Sequence, residues 1–238
     1  MSKKKRAAVV AGAVIGSTGV FFGAVLAINT LLDSKTTKQY SVSERVTELI
    51  VSSGAGNVEI VATSADRVTV QQTTHWVTDE PTPKKTLSDG VLTLADSDDC
   101  RGGWTLLRCE TDYRIEVPRD VAVSIKADAG DVTVTGLAGR VTLESDAGNV
   151  KGTELGASHV QASTDAGDVR LSFTVAPTSV DAETDAGDLD IDLPRAEYAL
   201  DLDTDAGDTS VEGIVRYDLA PHSVSAETDA GDLTIRGN

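Results

Sequence analysis

The feature that most constrains this chain is a four-residue corner that recurs at nearly constant spacing. Asp-Ala-Gly followed by Asp or Asn begins at Asp128, Asp146, Asp165, Asp185, Asp205 and Asp229, at intervals of 18, 19, 20, 20 and 24 residues. A degenerate copy, Gly54-Ala55-Gly56-Asn57, precedes them. Alignment on the corners brings the flanks into register. Three positions of period two come before each corner, as in Val123/Ile125/Ala127, Val160/Ala162/Thr164 and Val224/Ala226/Thr228. Two more follow, as in Val132/Val134, Val169/Leu171 and Leu233/Ile235. Alternation at period two means strands with one buried face on both sides of each corner. Two copies lapse, with Gly152 and Thr209 where an apolar residue is expected.

The corner residues suit a tight turn, because Asp and Asn accept backbone N–H groups and Gly supplies positive φ at little cost. The residues with this structural role are Asp128, Gly130 and Asp131, then Asp146, Gly148 and Asn149, then Asp165, Gly167 and Asp168. The last three corners supply Asp185, Gly187 and Asp188, then Asp205, Gly207 and Asp208, then Asp229, Gly231 and Asp232. Four of the six prolines, Pro118, Pro177, Pro194 and Pro221, fall 8 to 11 residues before the next corner and mark a second, looser bend. A unit of about 20 residues cannot hide its own apolar stripe, but copies stacked ~4.8 Å apart can. The prediction is an all-β chain: a single-domain β-solenoid of about eight coils over residues 47–238. A sandwich of hairpins is the rival, although a meander gives no reason to repeat one corner and vary the other. Aromatic content of 4% leaves Val, Ala, Leu and Ile to fill the interior.

The period breaks in an insert over residues 74–108. It holds both tryptophans, Trp76 and Trp104, and one of the two cysteines, Cys100; the other, Cys109, follows directly. Cys100 and Cys109 are predicted to close a disulfide loop, with two isolated thiols as the alternative. Trp76 and Trp104 fit either a recognition loop or a lid over an apolar coil edge, since repeat arrays need caps.

The placement of the corners, with Val117-Pro118 and Leu193-Pro194, resembles a bacterial β-strand-repeat family named "putative adhesin", a domain of unknown function on envelope proteins. The resemblance spans roughly residues 47–238. It implies this fold and an envelope location, and no established catalytic residues.

Residues 1–6 form a basic tip, Lys3, Lys4, Lys5 and Arg6, ahead of 22 uncharged residues at 7–28. At ~1.5 Å per residue that run is about 33 Å, enough to cross a bilayer. The expectation is a transmembrane signal-anchor helix with a cytoplasmic N-terminus in the bacterial plasma membrane and the domain outside. A cleaved signal is the competing reading, with Val25-Leu26-Ala27 a poor cleavage site. Gly12/Gly16 and Gly19/Gly23 have the spacing of close helix pairing. Residues 29–46 read as a polar stalk.

The chain carries a net charge of −17, and −21 once the four leading cations are set aside. So acidic a surface repels phosphate backbones, which excludes nucleic acid as a partner. Aligned corners would form a carboxylate ridge. The readings are that each Asp bonds its own turn amides, with the ridge solvated, or, more weakly, that the ridge takes Ca²⁺. Otherwise no metal and no cofactor is expected. No catalytic motif stands out, so the expected function is a non-catalytic, membrane-anchored envelope scaffold or adhesion module. Its partners would be an envelope protein or a wall polymer. The alternatives are an envelope-sensing signalling accessory and, less well supported, a polysaccharide-acting enzyme.

Overall fold

In the computed structural model, residues 34–77, 80–96 and 109–238 are described. They contain strands and turns and no helix. Twenty strands form two ten-stranded sheets. The repeat unit is a strand in one sheet, the Asp-Ala-Gly corner, and a strand in the other. The central layers are β2 (Glu48–Ser53) with β3 (Val58–Thr63), β8 (Ala122–Ala127) with β9 (Val132–Thr135), and β10 (Val141–Ala147) with β11 (Val150–Leu155). They continue as β12 (His159–Ala166) with β13 (Val169–Phe173) and β14 (Ser179–Ala186) with β15 (Leu189–Leu193). Neighbouring layers pair parallel and in register, so that Val141 meets Val160, Leu143 meets Ala162, and Val169 meets Leu189. The alternating residues form one continuous core between the sheets, including Leu49, Ile60, Val132, Leu143, Val150 and Leu189. The architecture is solenoid-like.

At both ends the chain leaves the single upward spiral expected from the repeat. The last layer in sequence, β19 (His222–Ala230) with β20 (Leu233–Gly237), lies between β14/β15 and the layer β16 (Glu197–Ala206) with β17 (Thr209–Glu212). Its stripe of Val224, Ala226, Leu233 and Ile235 is buried, whereas Leu200, Leu202 and Val211 of the outer layer are only partly so. The layer with intact apolar positions therefore takes the place with neighbours on both sides, and the layer with the Thr209 lapse takes the end. The 24-residue spacing before the last corner supplies the chain that skips a layer. It carries the short strand β18 (Val215–Arg216), which pairs with β16.

The other end is built similarly. β6 (Val91–Ala95) and β7 (Cys109–Pro118) form a layer outside β2/β3. Antiparallel strands then extend each sheet: β4 (Val68–Trp76) and β1 (Ser34–Val42) beyond β7, and β5 (Lys84–Ser88) beyond β6.

Two expected boundaries are corrected here. Residues 34–42 of the expected 29–46 stalk are strand β1, where Val42 is buried and Tyr40 packs against the core beneath the Lys85 ammonium, 4.5 Å from its ring. Polar residues on its outward face mask the inward ones in the sequence. Among its described residues, the 74–108 insert is likewise largely regular: β5 and β6 form a hairpin whose Asp89 and Gly90 both have positive φ, the geometry of a two-residue turn. The Gly152 lapse has its own cause. A bulge there, with Glu154 at φ 54°, folds Leu155 back so that its side chain fills the space a Cβ on Gly152 would take.

Candidate functional site: the corner column and the acidic face

The corners stand in one column, held by two hydrogen-bond ladders. The side chain of the last corner residue in one layer accepts the backbone N–H of its counterpart in the next. Asp112 accepts from Asn57, Asn57 from Asp131, Asp131 from Asn149, and Asn149 from Asp168, at 2.8–3.0 Å. Asp168 accepts from Asp188, Asp188 from Asp232, and Asp232 from Asp208, again at 2.9–3.0 Å. These bonds run between layers, not within each turn as the sequence reading had it. The N–H of Asp188, followed by the Arg170 guanidinium, holds the Asp168 carboxyl below the usual carboxylate range despite partial desolvation.

The second ladder uses the Ser or Thr just before each corner. Thr164, Thr184, Thr228 and Thr204 donate their hydroxyls to the carbonyls of Gly148, Gly167, Gly187 and Gly231, and Ser145 donates to Gly130. This is why polar residues occupy inward positions, since a buried hydroxyl needs a partner.

With the last corner residue committed to the ladder, the first faces water. Asp146, Asp165, Asp185, Asp205 and Asp229 are exposed. They edge the outer face of the sheet that contains β12, β14, β19 and β16. These four strands carry ten acidic residues and no Lys or Arg. Glu183, Glu227 and Asp203 are direct cross-strand neighbours in adjacent layers. Like charges so placed repel by about 1 kcal/mol per pair in bulk water. Partial desolvation, followed by the charges of Glu183, Asp203, Asp229 and Asp205, raises the Glu227 carboxyl above its usual range. Towards the first layers the same row carries Lys126, whose ammonium is 3.4 Å from Glu144.

The opposite face differs. Arg170 lies 2.8 Å from Asp168 and 3.5 Å from Asp190, while Arg236 lies 3.1 Å from Asp190 and 3.6 Å from Asp192. Arg114 pairs with Glu59 further along. That face pairs its charges, whereas β12, β14, β19 and β16 carry acidic residues without Lys or Arg.

The insert-bearing end holds features the sequence reading missed. Asp96 is buried and accepts the Tyr113 hydroxyl at 2.9 Å, the Gly54 N–H at 2.9 Å and the Ser53 hydroxyl at 3.4 Å. Burial raises its carboxyl above the usual range, and these bonds oppose the rise. Burial, and then the Asp96 charge, also pushes the Tyr113 phenol up. The only sequence signal is that Asp96 falls where other layers place the inward Ser or Thr. Trp76 is half-buried at the end of β4, opposite Ser34 on one side and Cys109 on the other. Cys109 is not a free thiol. Its expected partner Cys100 lies outside the described residues, as do Trp104 and the membrane segment with Gly12, Gly16, Gly19 and Gly23. His159 meets the Ser158 hydroxyl at 2.9 Å. His222 contacts the Pro177 carbonyl at 2.7 Å and tilts against the Tyr198 ring.

The fold and its surfaces can be set beside known proteins. No curated protein matches the sequence. A solved structure described as a "putative cell adhesion protein" from Clostridium sporogenes ATCC 15579 aligns at 15% identity with a TM-score of 0.53, over 86% of this chain and all of that one. A "putative adhesin" from Bacteroides fragilis NCTC 9343 aligns at 15% identity with a TM-score of 0.49, over 86% of this chain and 98% of that one. At these identities the first likeness speaks for the fold alone. A family model, Toastrack DUF4097, matches residues 43–236, essentially the whole two-sheet stack. The chain therefore belongs to the Toastrack DUF4097 family.

Proposed function

We propose that this protein is a non-catalytic, adhesion-type binding module of the bacterial envelope, tethered to the plasma membrane through residues 7–28 with the stack outside the cell. Its partner is a cationic segment of an envelope protein or wall polymer. The observation that carries this reading is the acidic face of β12, β14, β19 and β16, which contains no Lys or Arg, on a stack whose opposite face pairs its charges. Stacked sheets hold the carboxylates rigidly, so a cationic partner meets a preorganised surface and relieves their mutual repulsion. The name carried by the structural neighbour from Clostridium sporogenes, a cell adhesion protein, points the same way.

The test is capture of envelope fractions by the full-length protein in detergent, beside the triple variant Glu183→Gln, Glu227→Gln, Asp203→Asn. The expected result is a partner retained at ~50 mM salt, released as salt rises, and lost by the variant while its fold is kept. Equal capture by both proteins, at all salt concentrations, would contradict the assignment of this face.

A further inference from the structure

We propose that His75, Glu110 and Asp112 form a divalent-metal site, for which zinc is the best-matched ion. This inference is independent of the acidic face, since the three residues lie on the opposite sheet at the insert-bearing end. In the antiparallel ladder of β4 and β7, His75 stands directly opposite Glu110, and Asp112 is opposite Thr73, one position along the same face. One ligand atom from each residue can be chosen so that all three lie within 4.8 Å of one another. Atoms so spaced are no more than about 2.8 Å from a common centre. Closure onto zinc at ~2.0–2.1 Å takes side-chain movements below about 1 Å.

The cluster differs from the carboxylate ridge in two ways. It includes an imidazole, and a nitrogen with two carboxylate oxygens suits zinc or another first-row divalent ion more than calcium, which takes six to eight oxygens. It is also partly preorganised. Asp112 is the terminal member of the corner ladder, and its Oδ1 is fixed by the Asn57 N–H at 2.8 Å. Its Oδ2 lies 4.0 Å from His75 Nε2. A hydrogen bond that orients a ligating carboxylate is the outer-shell support metal sites use. The His75 side chain is only 12% exposed and that of Asp112 is 38% exposed, so an ion would be shielded on one side and reachable on the other. Three protein ligands leave a fourth position for water or for a group from a partner.

The experiment is calorimetric titration of Zn²⁺ into the untagged, metal-stripped full-length protein. One saturable site per chain is expected. His75→Ala, Glu110→Gln and Asp112→Asn should each weaken it by at least about 10-fold. Asp112→Asn is the control for folding. Asn57 and Asn149 already serve in the ladder, so an amide at 112 still accepts the Asn57 N–H, and the metal-free melting temperature should be unchanged. His159→Ala and His222→Ala should leave binding intact. Co²⁺ in place of Zn²⁺ should give visible absorption bands that His75→Ala removes. Unsaturable binding, binding unchanged by His75→Ala, or equal loss in His159→Ala would overturn the proposal.

Discussion

At the scale of single residues, the corner is demanding because each layer's backbone passes within contact of the next. Gly148 has φ 148°, and a Cβ there would run into the carbonyl of Gly130. The backbone cannot move aside without breaking the ladder at Asn149. Gly148→Ala should therefore destabilise the protein by ~2 kcal/mol or more, measured by denaturant unfolding. The Thr hydroxyls make a milder contribution. Thr184→Val keeps the volume but leaves the Gly167 carbonyl without its 2.8 Å donor, which should cost about 1–2 kcal/mol in the same assay. Much of this was legible in the sequence, where invariance at the third corner position pointed to glycine's backbone freedom. The inward Thr was legible as a position but not as a bond, because its acceptor belongs to a corner 16 or more residues away and becomes a neighbour only through stacking.

At the scale of elements, single carboxyls on the two sheets respond oppositely to acid. Glu227, on the unpaired face, has its carboxyl raised when folded, as does buried Asp96. A raised carboxyl binds its proton more readily in the native state, so these groups add stability as pH falls from neutral towards the carboxylate range. Asp168, in the ladder and beside Arg170, is held lower when folded than when unfolded. Its contribution is present above the ordinary carboxylate range and is lost as pH falls through its depressed value. The melting temperature at low salt should thus rise on mild acidification from pH 7.5 and fall only at stronger acid. A monotonic decline from neutrality would show that repulsion on the acidic face is negligible. The strands themselves were readable from the period-two pattern wherever the corner repeats. β1 was not, because Thr36, Thr37, Lys38 and Gln39 conceal an alternation that begins only near Tyr40. β5 and β6 were partly readable from the short apolar run at 91–94, but their turn at Asp89-Gly90 went unused.

At the scale of the whole molecule, the layers do not follow chain order, and this sets which carboxylate stands in the middle of the acidic row. With β19 between β14 and β16, Glu227 sits between Glu183 and Asp203. The sequence held the clue in its 24-residue interval and in Thr209, but a repeat count alone favours the simplest stacking. Pairing energy decides otherwise: the fully apolar layer gains more from an interior place than the lapsed layer would.

Cysteine pairs read this order directly, because cross-strand neighbours bridge readily and residues two layers apart, roughly 9–10 Å, do not. In full-length protein, Glu183→Cys with Glu227→Cys should oxidise to an intramolecular disulfide, while Glu183→Cys with Asp203→Cys should stay reduced, as read by mass spectrometry of non-reduced peptides. The reverse result, bridging of 183 to 203 and not to 227, would mean that the layers stack in chain order and that Asp203, not Glu227, is the middle carboxylate of the acidic row.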